Sequence, residues 1–315
     1  MQGYGCWIIA KEKGTGEVFM KKKIGVVTDS HSSITKTEAE KLGIRVLPMP
    51  FYCGEECYYE DVTISRAEFF ERLKAGEAFT TSQPSPETVM EYWNEALEEY
   101  EKILYIPISS GLSGSCQTAT VMAEEDAYKD RVFVVDNGRV STPMHRTVLD
   151  ALEMIEEGYE AEDIKYSLEQ ARDKMVIYVG VQTLENLKRG GRISPATAAL
   201  GNMLNIRPVL KFDVGTLDTF KKCRGIAKAK KTMIEAMHHD LETVFKEWYD
   251  KGEVYSLAAS SADPETTAEW VQEIKEAFPG MEVMCDELSL GVSCHIGPGG
   301  LGIGCSCRPK RQKKA

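Results

Sequence analysis

One histidine in this chain stands in a setting suited to chemistry. His295 lies in the run Ser-Leu-Gly-Val-Ser-Cys-His-Ile-Gly-Pro-Gly-Gly-Leu-Gly-Ile-Gly, residues 289–304. An imidazole serves as acid, base or neutral hydrogen-bonding group according to its surroundings. Six glycines between positions 291 and 304, interleaved with Ile, Val and Leu, are not the composition of a loose linker. They predict a tight, partly buried loop that holds the ring in a fixed place. A structural turn around a satisfied core histidine is the plain alternative.

Two hydroxyl-rich stretches are the next candidates: Thr80, Thr81 and Ser82, then Ser109, Ser110 and Ser113. Each lies just before a predicted helix start, where backbone N–H groups lack partners and the helix dipole favours negative charge. Hydroxyls beside free N–H groups suit an anionic oxygen, whether of a carboxylate or a phosphate. Ordinary N-capping is the competing use, and it is the reading for Ser85, which Pro86 follows. Clustering singles out Thr81, Ser82 and Ser113 as ligand candidates. A third group is cationic: Lys188, Arg189 and Arg192 sit on a double-glycine turn in an acidic chain. Such a turn either docks or steers a charged partner or is simply a solvated face at a helix end.

The elements that must position these groups follow from pattern. Residues 23–28 form a short apolar run, closed by the polar 29–33 and by Thr35 with Glu38 as a capping box, and a helix then stops at Gly43. Strand, polar loop and helix open a parallel α/β sheet. A strand is predicted over 45–52, a connecting turn over 53–60, a helix from Ser65 to Gly76 and a loop over 79–87. Strands at 102–108 and 131–135 and helices over 143–157 and 161–174 keep the alternation. From 175 a second lobe is predicted. It has a strand at 175–181 and a short helix at the double-glycine turn. A helix then runs from Ser194 to Leu204, followed by a hairpin of 206–212 with 216–222 and a long helix over 227–249. Strands at 254–260 and 282–287, with a helix after Pro264, complete it. The division is therefore a loose extension at 1–21, an N-terminal α/β lobe at 22–174, a C-terminal mixed α/β lobe at 175–304, and a disordered basic tail at 305–315.

Composition excludes several classes. With 315 residues, 43% hydrophobic and 28% charged, the chain is long enough for two cores and ordinary for a globular protein. A net charge of -11 argues against nucleic acid as partner. No apolar run approaches the ~18 residues of a membrane span, and Trp7, Ile8 and Ile9 are too few for a signal-peptide core. Nine cysteines, an odd number without an export signal, suit a reducing cytoplasm. Cys53 with Cys57 and Cys305 with Cys307 are the close pairs; four thiolates gathered by the fold would suit zinc, though idle or buried thiols are commoner.

Familiar motifs fail informatively. Residues 297–302 match G-x-G-x-x-G, yet no βαβ unit follows, so dinucleotide binding is not expected. No G-x-x-x-x-G-K-[ST] occurs. Gly-Leu-Ser-Gly-Ser at 111–115 is not G-x-S-x-G, so the strained nucleophile elbow is missing. A Ser113–His295 pair in space would still leave a hydrolase of a small ester or phosphoester open, and a phosphate-binding regulator would use the same loops.

Four segments together resemble the DegV family. They are Thr-Ser-Gln-Pro-Ser at 81–85, Ser-Ser-Gly-Leu-Ser-Gly at 109–114, Leu-Lys-Arg-Gly-Gly-Arg-Ile at 187–193 and Gly-Val-Ser-Cys-His-Ile-Gly-Pro-Gly at 291–299. Their order and spacing follow the family from about Lys22 to Gly304. The resemblance implies two α/β lobes enclosing one long-chain fatty acid, with its tail in an apolar tunnel. Thr81, Ser82 and Ser113 would hold the carboxylate and His295 would close the site from the other lobe. It implies no cofactor and no catalysis by this chain. A separate ATP-dependent fatty-acid kinase in a bacterial cytoplasm would make the acyl phosphate for phospholipid synthesis, with Arg189 and Arg192 at the docking turn. The extension before Met20 and the tail with Cys305 and Cys307 depart from the family pattern, and residues 137–142 are a looser version of its serine-rich turn.

Overall fold

The computed structural model describes residues 9–13, 17–198, 206–215 and 217–314. Its N-terminal part is built on β1 (Ile9–Lys13), β2 (Glu17–Asp29), β3 (Arg45–Leu47), β4 (Phe51–Cys53), β5 (Glu56–Tyr58), β6 (Phe79–Thr81), β7 (Tyr100–Ile106) and β8 (Val132–Val134). Strands β3, β2, β7 and β8 lie side by side and parallel, and β1 folds back antiparallel on the leading half of β2. Ile103, Leu104, Tyr105 and Ile106 of β7 are fully buried, as expected of a parallel strand covered on both faces. Helix Pro86–Glu99 covers one face with Val89, Trp93, Ala96 and Leu97. Helices Ser141–Glu156 and Ala161–Gln170 cover the other with Val148, Ala151, Met154, Ile164 and Leu168.

Strands β5, β4 and β6 form a separate antiparallel sheet. Phe51 and Phe79 of this sheet pack on Phe69 of helix Arg66–Lys74, with ring centroids 5.6 Å and 4.7 Å from Phe69. The expected single strand over 45–52 is thus two strands in two sheets. Pro48 and Pro50 lie between them and supply no ladder N–H, so the chain bends out of the parallel sheet there. The expected turn over 53–60 contains β5, and Phe79, Thr80 and Thr81, expected in a loop, are β6.

The second lobe holds β9 (Met175–Gly180), β10 (Ile206–Phe212), β11 (Asp218–Arg224), β12 (Val254–Ser260), β13 (Val283–Glu287) and β14 (Leu301–Cys307), in the order β11-β10-β9-β14-β12-β13. Only β12 with β13 is parallel, so the sheet is mixed. Helices Gly225–Glu242 and Pro264–Ala277 cover one face through Met233, Met237, Leu241, Trp270 and Ile274. The molecule is a two-lobed α/β protein with a parallel-sheet lobe and a mixed one.

Several expectations need correction. The stretch 289–304 is not one loop: helix Leu290–Ile296 begins at the N-cap Ser289, and the glycine-rich end becomes the buried central strand β14. Cys305 and Cys307 belong to that strand, so the lobe extends past the expected boundary at Gly304. The basic tail beyond it is ordered: Arg311 pairs with Glu153 and Glu157, and Gln312 and Ser167 exchange hydrogen bonds of 3.0 and 3.1 Å. The described part of the extension forms the β1–β2 hairpin. The long helix expected over 227–249 breaks into Gly225–Glu242 and Lys246–Tyr249. Of the helix expected up to Leu204, Pro195–Ala198 is helical and 199–205 lie outside the described residues.

Candidate functional site

Helix Leu290–Ile296 is only seven residues long, too short to form on its own, so its ends are tied down. Ser289 caps it, and the N–H of Leu290 donates to Oε2 of Glu60 at 2.9 Å. Leu290 and Cys294 pack among Phe51, Phe69 and Phe79 of the other lobe. At Gly291 the helix lies so close to His31 that a Cβ would come within 2.7 Å of its Nε2. His295, on the same helix, reaches Thr81, the last residue of β6. The His295 Nε2 and Thr81 Oγ1 atoms are 2.8 Å apart, joining positions 214 residues apart in sequence.

The state of this imidazole follows from its surroundings. Burial, and then the nearby Arg192 and His31, push its pKa down to about 3, so the ring is neutral at pH 7. Among the described residues its Nδ1 has no hydrogen-bond partner, and it faces Gly190, where a Cβ would stand 2.0 Å away. An orphaned buried N–H is rarer than an under-used acceptor, which favours the tautomer with hydrogen on Nε2. The ring then donates to Thr81 Oγ1 and leaves the threonine proton free to point elsewhere.

Thr81 stands in the wall of a cavity. Thr81, Ser82, Ser113, His295 and Arg192 all line it, together with His31 and aliphatic residues of β9, β12 and β14. Its volume is about 110 Å³, several times the ~10–15 Å³ one water needs. Ser113 sits just before helix Ser115–Met122, and its Oγ accepts the N–H of Ser115 at 3.2 Å, so its hydroxyl proton stays available. Ser82 is the exposed residue after β6.

The two arginines of the glycine turn part company. Arg189 is exposed and is not in the cavity wall. Arg192, expected beside it at a docking face, instead turns inward. Its Nε donates to the carbonyl of Leu112 at 3.2 Å and its Nη1 to that of Gly190, fastening the second lobe to the Ser113 loop.

His31 escaped the sequence reading as a site residue. It follows Asp29 at the C-terminal end of β2, where parallel sheets place ligands, and that position was the available signal. Buried Asp29 fixes the turn, accepting the His31 N–H at 2.9 Å on Oδ1 and the Ile108 N–H at 2.8 Å on Oδ2. The four-thiolate zinc site, the less common of the two readings of the cysteine pairs, is not formed: among the described residues no group of three or more His, Cys, Asp or Glu is placed to hold a metal.

Chemically, the site offers a ring of neutral donors with one guanidinium in its wall, opening onto an apolar interior. It suits one anionic head on a hydrophobic body. As a nucleophile–base pair, Thr81 with His295, or Ser113 with His295, is poor: a ring with a pKa of about 3 is a feeble base, and among the described residues Nδ1 has no hydrogen-bond partner behind it.

Comparison with known proteins gives the relatives. The model of the DegV family of uncharacterised proteins matches residues 23–307. A DegV domain-containing protein of Deinococcus radiodurans is 31% identical over 281 residues, 89% of this chain and 97% of that protein. Among solved structures, a DegV family protein from Thermus thermophilus, described by its fatty acid binding, is 34% identical with a TM-score of 0.79, over 90% of this chain and 99% of that one. DegV of Bacillus subtilis, described as a fatty acid binding protein, is 29% identical with a TM-score of 0.77 over the same shares.

Proposed function

The chain belongs to the DegV family, and from that premise we propose that it binds a long-chain fatty acid and presents it to a separate enzyme. The carboxylate lies at the seam between the lobes, accepting the hydroxyl protons of Thr81 and Ser113, with Ser82 at the rim and His295 orienting Thr81 from behind. The acyl chain occupies the apolar interior, where each CH₂ withdrawn from water contributes ~0.8 kcal/mol. The observation that carries this reading is the 2.8 Å contact between His295 Nε2 and Thr81 Oγ1 at the head of an apolar cavity.

The next step is transfer. With the wall guanidinium of Arg192 engaged by the carbonyls of Leu112 and Gly190, a carboxylate held by the neutral hydroxyls keeps its oxygen nucleophilic, as phosphoryl transfer from ATP on a partner requires. The partner is an ATP-dependent fatty-acid kinase, and the acyl phosphate it forms feeds phospholipid synthesis. Arg189 stands exposed three residues before Arg192, on the turn whose other end is in the cavity wall, so a partner docked on it lies beside the carboxylate.

The protein purified from cells is expected to carry a C14–C18 acid in native mass spectrometry. Thr81→Ala should retain at least ~10-fold less, the loss of one hydrogen bond to a charged group, and His295→Ala should also retain less, because Thr81 loses the group that orients it. Wild-type retention in both variants would remove the assigned head site. Empty wild-type protein with esterase turnover would instead support the hydrolase. Arg189→Ala should lower phosphorylation by the kinase while the lipid stays bound; loss of lipid would make Arg189 part of the pocket.

A further inference from the structure

Strand β14, Leu-Gly-Ile-Gly-Cys-Ser-Cys, is the centre of the second sheet, paired with β9 on one side and β12 on the other. Its two faces are built from different residues. Leu301, Ile303, Cys305 and Cys307 point into the core under helices Gly225–Glu242 and Pro264–Ala277. Gly302 and Gly304 fall on the opposite face, and both line the cavity. Glycine inside a central strand weakens it and leaves nothing to pack, so a pair on one face calls for a reason. Backbone conformation is not that reason, because neither glycine has a positive φ.

The register supplies one. Gly302 is flanked by Val179 of β9 and Ala259 of β12, and Gly304 by Ile177 and Leu257. All four flanking residues line the same cavity. The sheet therefore carries a furrow one side chain deep, with a bare backbone floor and aliphatic walls. Strands lie ~4.8 Å apart, so a carbon chain on the centre line is ~4.8 Å to the side of each wall row, close to the ~4.0–4.5 Å of apolar contact. The furrow has the width of a single polymethylene chain.

We propose that Gly302 and Gly304 are the floor on which the acyl chain lies, and that Gly302 sets how thick a chain the tunnel admits. This rests on the fatty-acid reading above and adds the residue that determines specificity. The two glycines differ in how cleanly they can be tested. A Cβ at Gly304 would meet the Val176 carbonyl at 2.4 Å, so the sheet itself excludes it. At Gly302 the nearest atom to an added Cβ is the Ala259 carbonyl oxygen at 3.4 Å, an ordinary contact. The sheet tolerates a side chain there, and that side chain can project only into the furrow.

The test is the series Gly302→Ala and Gly302→Val in the full chain. Affinity for hexadecanoic acid is measured by competition with a fluorescent fatty acid, and ligand-free melting temperature is measured alongside. Affinity should fall in order of side-chain size, by about tenfold for Gly302→Val, while the melting temperature changes little. Adding Val179→Ala to Gly302→Val returns volume to the same stretch of furrow and should recover binding, which a general structural defect would not. Unchanged affinity in Gly302→Val, with wild type binding the acid, would overturn the furrow and leave the head site standing. A wild type that binds no acid would overturn the fatty-acid reading itself. If Gly302→Val fails to fold, Gly302→Ala with and without Val179→Ala decides by the same comparison.

Discussion

Two imidazoles cross the seam between the lobes, and they are used in opposite ways. His145, on helix Ser141–Glu156, is buried between two carboxylates, with Nε2 3.2 Å from Glu38 Oε1 and Nδ1 3.1 Å from Asp286 Oδ2. Nearby, Thr142 Oγ1 donates to the Ala258 carbonyl at 2.7 Å. At that seam both ring nitrogens lie beside acids: Nδ1 is hydrogen-bonded to Asp286, and Nε2 stands next to Glu38 without hydrogen-bond geometry. Among the described residues His295 meets one hydroxyl and leaves Nδ1 unmatched. The first arrangement joins the lobes; the second holds them together at the edge of a cavity, where the proposed function places an anionic head. A histidine that bridges two lobes is thus structural or functional according to what stands on its far side.

The largest way to perturb the second seam is through Glu60, which holds the start of the His295 helix. Burial pushes its carboxyl up to about 7, against the opposing effects of the Leu290 N–H and Arg66. Asp61, His31 and Cys294 are its other charged or titratable neighbours. Between the ordinary 4.5 and about 7 the folded chain keeps a proton that the unfolded chain has released. Stability contributed by this group is therefore greatest at the acid end and declines as pH rises through that window, by ~3 kcal/mol at ~1.4 kcal/mol per unit. Urea unfolding from pH 4.5 to 8 should show the decline, and Glu60→Gln should flatten it. An equally steep profile in Glu60→Gln would place the proton elsewhere.

Gly190→Ala acts on the same seam directly. The new methyl would fall 2.0 Å from His295 Nδ1, so the ring must leave Thr81. Overpacking of this kind costs ~2 kcal/mol, read as ~30-fold weaker acid binding. Full binding would mean that the imidazole is dispensable. The first seam should respond in stability alone. His145→Ala leaves Asp286 without its partner and should cost ~1.5 kcal/mol in denaturant unfolding, with acid affinity of the folded protein unchanged. The smallest effect is expected from ending the chain at Cys307. Buried Ser167 would lose both of its bonds to Gln312, a loss of ~1 kcal/mol. A larger loss in affinity than in stability would tie the tail to the cavity.

What could be read in the sequence divides along physical lines. Local signals were legible. Thr35, Ser65, Ser85 and Asp263 each accept the N–H three residues on, as caps followed by Glu or Pro predict. The gathering of hydroxyls at positions 81, 82 and 113 was legible as composition, but their convergence with His295 is a long-range fact that only the fold supplies. The run 289–304 misled because glycine lowers both helix and strand propensity. Tertiary packing of Leu290 and Cys294, and pairing on both sides of β14, outweigh that propensity. Arg192 could not be told from Arg189 by type or spacing; a left-handed Gly191, with φ of 66°, turns one inward and leaves the other outside.

The place of β14 in the chain has a consequence for biogenesis. Among the described residues it is the last strand in the chain, yet it belongs in the middle of its sheet, between two strands made 121 residues and 41 residues before it, counted from Gly180 and Ser260 to Leu301. Until it slides into that gap, β9 and β12 have unpaired edges facing one another and the furrow has walls without a base. Under the fatty-acid reading proposed above, the cavity that would take the acyl chain is complete only once this strand has been inserted.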